Sequence, residues 1–526
     1  MKTLICISIL LAASLYSEAY VTYDGKQVPP FPIPAGSTVY RCSTFVSFYL
    51  NLRNHMQPNT VFLLADATYD FGTISINITA DNVALIGESG DPSKVILVSN
   101  GFENNNSVDQ ESIKLSGVHR PVFANITISE CRCNAVKYSS GPNSDVLFHN
   151  VRFINNGERS IKGPRTVVEL APGCTIRYCH FENTKIPSSD RCTGQLCDGE
   201  DDGGNYIAGM DIMGYDQIAI HDNVFLNIKG ASGGGRAGVF LWTGGKNSWT
   251  MRNTFIGCDR SIAHGNYSSS STSDSNAYIM NNFIVPGAGN AIELYWTRNV
   301  RIFNNTLCGP NTGSIIYQNA SLGGSNLGCE IKNNLIYGSI ANLNATPPDT
   351  LNNLIVTRSQ SALLSRWLVD NANGDLHIKS DTCRPVNRGI SLPEVTVDWD
   401  NAPRTGTLDI GADEFGNGSL IQSFDPRLTN LDDVYLSPAQ PNPFNPHTLV
   451  QYGITNAGSG KPFECAVFST SGKLIRMLKR GAAIAGNYAL QWDAKDDNGV
   501  QVASGAYVIK LVAGGKSVTT NVVFMK

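Results

Sequence analysis

The sequence predicts an all-β chain, a right-handed parallel β-helix followed by a small Ig-like β-sandwich. The first observation behind this is a phrase that returns seven times: an aliphatic-rich run, usually an Asn, then Phe or Leu. It ends at Phe153, Phe181, Phe225, Phe255, Phe283, Leu307 and Leu335, in steps of 28, 44, 30, 28, 24 and 28 residues. A near-constant period in this range is the mark of a solenoid with one long insertion. The second is the content of one period, rich in Val, Ile, Phe, Asn and Gly with no apolar pattern of helical length, which reads as short strands joined by turns. Stacked coil on coil, the recurring Asn would form a column of buried amides that satisfy one another. The third is a change of character after residue 433, to alternating strands with Gly-containing turns.

The chain opens with MKTLICISILLAASLYSEAY. Lys2, the apolar stretch Thr3 to Leu15 and the small-residue site Ser17-Glu18-Ala19 read as a signal peptide over 1–19, with a mature start near Tyr20. The apolar stretch is too short to span a bilayer, and no later run is long enough. A net charge of −4 with 16% charged residues argues against a nucleic-acid binder. In an exported chain, the close pairs Cys174/Cys179 and Cys192/Cys197 are expected disulfides, whereas Cys131 and Cys133 are too near one another to pair. The cysteines lack the paired CxxC spacing of a zinc site.

PPFPIPAG, 29–36, reads as an extended lead-in. Ser43 to Met56 places Phe45, Val46, Tyr49, Leu50 and Leu52 on one helical face, a plug for the exposed end of the first coil. TVFLLADATYDFG, 60–72, then begins the coils, which continue through VALIGES, VFANITIS and VLFHNVRF. The recurring Asn-aromatic coils and this opening strand, with Ala67 in the usual Gly place, resemble the β-helix superfamily of pectate lyases, alginate lyases, uronan epimerases and polygalacturonases. The resemblance covers about 350 residues and implies the fold and action on polysaccharide. Neither a WxDH-like pectate-lyase signature nor the closely spaced Asp set of polygalacturonases is present, so the reaction stays open.

Candidate chemistry falls in two places. The long step contains KIPSSDRCTGQLCDGEDDGGN, in which Asp198, Glu200, Asp201 and Asp202 form an oxygen-rich, Gly-flanked cluster suited to Ca2+, or else a solvated acidic turn. The other place is a second strand in each coil: SIKG, GMDI, GVFL, SIAH, AIEL and SIIY, starting at Ser160, Gly209, Gly238, Ser261, Ala291 and Ser314. Alternation turns the second residue inward and the third outward. The outward column is Lys162, Asp211, Phe240, Ala263, Glu293 and Ile316; two places on, it is Met213, Trp242, Gly265, Tyr295 and Gln318. His264 falls in the inward column as a core histidine.

Such a face suits β-elimination at a uronic acid, which needs a base for the proton on carbon 5, a group that neutralises the carboxylate and an acid for the leaving oxygen. Lys162 is the candidate base, Arg236 and Arg260 are candidate neutralisers, and Asp211 and Glu293 are candidate acids or metal ligands. Trp242, Tyr295 and Trp296 are candidate sugar platforms. The competing class is a non-catalytic glycan-binding or adhesin solenoid, in which these groups only bind; a hydrolase would need two carboxylates astride the bond.

RPVNRGISLPEVTVDWDNAPRTGTLDIGADEF, 384–415, resembles the closing segment of secreted bacterial β-helix proteins, and its acids, Asp409, Asp413 and Glu414, are expected to be structural. The helix domain is thus placed at 20–415, a polar linker at 416–432 and the sandwich at 433–526. Pro441-Asn442-Pro443-Phe444-Asn445-Pro446, Gln491-Trp492-Asp493, Ser504-Gly505-Ala506-Tyr507 and the terminal VVFMK closely resemble the C-terminal sorting domain of type IX secretion. That resemblance implies a Gram-negative source of the Bacteroidetes type, passage through the periplasm, a translocon partner in the outer membrane, and removal or surface attachment. The expected partners are therefore a polysaccharide and the translocon, with the protein acting as a monomer.

Overall fold

A computed structural model describes residues 20–103, 111–163, 171–188, 203–267, 274–319, 324–343 and 345–416, and, further on, 434–436, 439, 442, 444–445, 447–454, 462–482, 486–513 and 516–525. The chain divides into two compact units, Met1–Gln422 and Ser423–Lys526.

The first unit is a parallel β-helix. Each coil lays one short strand in each of three sheets, and every strand pairs in parallel with its counterparts in the coils before and after. The first sheet runs from Thr38–Cys42 to Asp349–Leu351, the second from Ala67–Gly72 to Leu354–Val356, and the third from Ile76–Ile78 to Leu335–Leu343. Between the first and second sheets the chain turns through one left-handed residue, at Asp222, Arg252, Asn281, Asn304, Asn333 and Asn352 in successive coils (φ 49° to 58°). The next residue is an inward Asn, giving the column Asn223, Asn253, Asn282, Asn305, Asn334 and Asn353.

Each amide Nδ2 in this column, as far as Asn334, donates to the next Asn Oδ1 at 2.9–3.0 Å. It also donates to a backbone carbonyl of the preceding coil, as Asn282 does to Thr250 at 2.9 Å. The buried amides therefore leave no donor unmet, which is what makes Asn tolerable in an otherwise apolar interior. Asn282→Ala is expected to lower the unfolding free energy of this unit by about 2 kcal/mol, because Asn253 loses its acceptor; urea denaturation checks this.

Phe153, Phe181, Phe225 and Phe255 stack beside the column with centroids 4.8, 4.6 and 4.6 Å apart. The sequence phrase misplaces two later anchors. Phe255 pairs with Ile284, not Phe283, and Leu307 pairs with Ile336, not Leu335. A one-residue difference after the Asn turns Phe283 and Leu335 outward, where Trp399 of the closing segment stacks on Phe283 at 4.4 Å.

The expected plug is the helix Phe45–His55, begun by a capping box between Thr44 and Ser47. Its inward face is the expected one in part: Leu52, Phe45 and Tyr49 pack on the core, and Phe48 joins them. Phe48 and Leu52 are buried against Phe62, Tyr69 and Phe71, while Val46 and Leu50 are exposed, 64% and 49%. Residues 20–36 run along the coils: the Pro29 carbonyl meets His149 Nε2 at 3.0 Å, and Asp24 accepts from Thr254 at 2.7 Å.

The disulfide expected between Cys174 and Cys179 is not formed. Strand Thr175–Arg177 extends between them; the Cys179 thiol donates to the Arg177 carbonyl at 3.3 Å, while the Cys174 sulfur lies 3.2 Å from the Tyr138 hydroxyl. Cys192 and Cys197 lie outside the described residues, as do the signal peptide 1–19 and nearly all of the linker. In the closing segment, buried Arg404 binds Glu414 at 2.7 Å, the Gly411 and Ala412 carbonyls at 2.8 Å, and Asn281 at 3.1 Å. Asp409 accepts the Asn387 and Phe415 amides. No helix among the described residues is long and apolar enough to cross a membrane.

The second unit pairs a three-stranded antiparallel sheet (Val434–Leu436, Thr448–Ile454, Gly486–Trp492) with a four-stranded one (Leu474–Ala482, Pro462–Ser469, Gly505–Ala513, Lys516–Phe524). Phe444, Trp492, Tyr507 and Phe524 meet in its core. Trp492 donates to the Lys495 carbonyl at 2.9 Å and Tyr507 to that of Ala503 at 2.7 Å, so both aromatics keep a satisfied polar end. Pro441, Pro443 and Pro446 lie outside the described residues.

Candidate active site

The outward column of the third sheet runs, coil by coil, Lys114, Lys137, Lys162, Asp211, Phe240, Ala263, Glu293 and Ile316. Met213 and Trp242 pair two places on, as do Tyr295 and Gln318. Along this face the residues singled out in the sequence separate into two groups.

The first is a buried ion network. Asp211 Oδ2 accepts from Lys162 Nζ at 2.7 Å and from Arg159 Nε at 3.2 Å, and its Oδ1 accepts from Trp242 Nε1 at 2.8 Å. Arg159 also binds Glu158 at 2.5 Å and lies 3.2 Å over the Tyr206 ring. Burial pushes the Asp211 carboxyl up, but the Lys162 and Arg159 charges outweigh it and hold it at about 2. Burial lowers the Lys162 ammonium, against the pull of Asp211. Lys162 and Asp211 are thus committed to one another.

The second group lines an open cleft of about 430 Å³: Arg236, Arg260, Glu293 and Tyr295, with Phe240, Tyr267 and Gln318. Glu293 is held by one oxygen. Its Oε1 accepts from Asn290 at 2.7 Å and faces Arg260 Nε at 3.3 Å, while buried Oε2 has no hydrogen-bond partner. Burial first, and then the Glu293 charge, push the Tyr295 phenol up to about 12, so it stays protonated at neutral pH. The Tyr267 ring sits 5.7 Å from that of Tyr295 at 65°. Gly265, two residues before Tyr267, takes φ +75°, where a Cβ would come within 1.8 Å of the Tyr295 carbonyl oxygen. Only glycine fits this turn, and it is what allows Asn266 and Tyr267 to reach the cleft.

Phe240 joins the two groups, lining the cleft and stacking on Trp242 at 5.4 Å and 11°. Trp296 does not reach the cleft. It takes a left-handed corner at φ 52°, and its ring packs where a Cβ on Gly324 would stand. His264 is buried in the interior, 3.4 Å from Tyr215 and lowered to about 4 by burial. Asp198, Glu200, Asp201 and Asp202 lie outside the described residues. Among the described residues, the cleft offers one carboxylate beside two guanidinium groups, fewer oxygens than the six to eight a calcium ion takes.

Tyr267 and Asn266 were missed by sequence reasoning because they follow a strand rather than lie in it; the Gly265 turn after SIAH was the available signal.

Residues 456–517 match the FlgD Ig-like domain family. No curated protein matches the chain. Among solved structures, the first unit is similar to the periplasmic alginate epimerase AlgG, with 10% identity over 57% of this chain and 77% of that one and a TM-score of 0.30. It is also similar to the pectate lyase Bsp165PelA from Bacillus sp. N165 in complex with trigalacturonate, with 11% identity over 61% and 83% of the two chains and a TM-score of 0.26. PorZ, a surface component of the type-IX secretion system of Porphyromonas gingivalis, is 21% identical over 19% of this chain and 12% of its own length, with a TM-score of 0.13.

Proposed function

We propose that the chain is an exported protein that cleaves a uronic-acid polysaccharide by β-elimination, with its reaction centre in the Arg260–Glu293–Tyr295 cleft. The observation that carries this reading is the convergence, along one open cleft, of two guanidinium groups, the buried Glu293 carboxylate and a phenol kept protonated. Arg236 and Arg260 neutralise the uronate carboxylate and so acidify the proton on carbon 5. The Glu293 carboxylate takes that proton. The C–H electron pair becomes the C4=C5 double bond, the C4–O4 bond breaks, and Tyr295 protonates the departing oxygen. Trp242 and Phe240 offer an aromatic surface to a neighbouring sugar ring. No step runs through calcium. Lys162 and Asp211 hold the adjoining coils together and keep Trp242 in place.

The C-terminal unit is read as a type IX sorting domain that delivers the protein across the outer membrane. Trp492, Tyr507 and Phe444, three residues of its motifs, form the sandwich core.

The purified full chain is incubated with a panel of uronic-acid polymers, with and without calcium. The expected result is growing ultraviolet absorbance from unsaturated chain ends. New reducing ends without that absorbance would mean hydrolysis. Retention on the polymers with neither product would leave a glycan-binding solenoid.

A further inference from the structure

Away from the cleft, the closing segment brings a second group of donors together. One ligand atom each from His377, Asp400 and Asp413 lies within 4.8 Å of the other two. His377 is on the strand Asp375–Ile378, whereas Asp400 and Asp413 belong to the closing segment. The imidazole is held as a metal-binding histidine is held. Its Nδ1 is 2.6 Å from Asp375 Oδ1, and Nε2 points the other way, 3.1 Å from Asp400 Oδ2. A carboxylate on one ring nitrogen fixes the tautomer and turns the other nitrogen to the ion. The ring is also wedged, with Phe283 and Trp399 each 5.1 Å away and nearly perpendicular to it. Asp413 spends one oxygen on the Ile378 amide at 2.7 Å and retains the other. The neighbouring Asp398 is fully buried, and its Oδ2 has no hydrogen-bond partner. With a carboxylate on each ring nitrogen, the His377 imidazole is itself the cation of the cluster, and an ion binding at Nε2 would displace its proton. Close by, Arg404 is engaged by Glu414 and backbone carbonyls, and Lys26 lies 3.7 Å over the Trp399 ring.

We propose that His377, Asp400 and Asp413 form a divalent-cation site of the zinc class that fastens the closing segment to the strand before it. One imidazole and two carboxylates, with Asp375 behind the imidazole, is a borderline-soft donor set that suits Zn2+ better than Ca2+ or Mg2+. Zn–N and Zn–O bonds of about 2.0–2.2 Å require the three donors to draw in by about an ångström. His377 and Asp400 are part-exposed, which gives the ion a way in and leaves room for a water as fourth ligand.

The test is calorimetric titration of the chelator-treated full chain with Zn2+, repeated with Ca2+, alongside thermal unfolding. The expected result is one zinc equivalent bound, a rise of a few degrees in the unfolding temperature of the first unit, and little response to Ca2+. Asp400→Asn and Asp413→Asn are each expected to weaken zinc binding at least tenfold. In Asp413→Asn the side-chain amide oxygen can still accept from the Ile378 N–H, and the more exposed Asp400 provides a second variant should Asp413→Asn misfold by circular dichroism. Zinc binding unchanged in folded Asp400→Asn, or no zinc uptake by the wild-type chain, overturns the proposal.

Discussion

Asp222→Ala is expected to remove about 3–5 kcal/mol from the stability of the solenoid, the cost of leaving buried charges without their partner. Asp222 is 2% exposed and occupies the left-handed corner one coil before Arg252. It accepts from Arg252 Nε at 3.0 Å and Nη2 at 2.8 Å, and from His221 at 2.6 Å, and it lies 3.6 Å from Lys26. Lys26 comes from the N-terminal lead-in and donates to the Arg252 carbonyl, so a single carboxylate fastens two coils and the lead-in together. Burial opposes its ionisation, but Arg252 and Lys26 win and hold its pKa well below the usual range. A depressed carboxylate contributes its stability fully above the unfolded value of about 3.9, and loses it as pH falls below that toward the folded value. Urea denaturation at pH 7 and pH 3 tests this. The wild-type midpoint is expected to fall with acidity more than that of Asp222→Ala, and a loss under about 1 kcal/mol at pH 7 would count against the network.

The repeat was legible because strand alternation and stacking are both fixed distances. Asn223, Asn253 and Asn282 recur at the same point of each coil, and the inward-outward assignment of Lys162, Asp211, Phe240 and Glu293 follows from a period of two. The same reasoning slips where the large apolar residue stands one place nearer the Asn, as at Phe283 and Leu335, which align with Thr254 and Thr306. It also overlooked what the column itself implied: Lys162 and Asp211 are adjacent entries of opposite sign, roughly 4.8 Å apart by strand spacing, and so bind one another before they bind a substrate. The lead-in was illegible for another reason. Lys26 meets Arg252 across 226 residues of sequence, and no local pattern encodes that contact. In the cleft, Arg260, Glu293 and Tyr295 were found because they lie in or next to strands, whereas Tyr267 reaches it from beyond a turn.

Glu293→Gln is expected to lower kcat on a uronic-acid polymer by about 10²–10⁴-fold, the usual contribution of a positioned general base. The substitution keeps the shape of the side chain, and its amide oxygen can still accept from Asn290 and Arg260, so the cost to stability is expected to stay within about 1–3 kcal/mol, that of a buried amide NH2 in the place of Oε2. What disappears is the basic carboxylate. Lys162→Met supplies the contrast. Asp211 keeps Arg159 and Trp242 but loses its closest cation, so this change is expected to cost stability while the folded protein retains most of its kcat. The two variants therefore separate the cleft from the ion network beside it. Should Lys162→Met abolish turnover in a folded protein while Glu293→Gln stays active, the base lies in the lysine column, and the elimination is centred on Asp211 instead of Glu293.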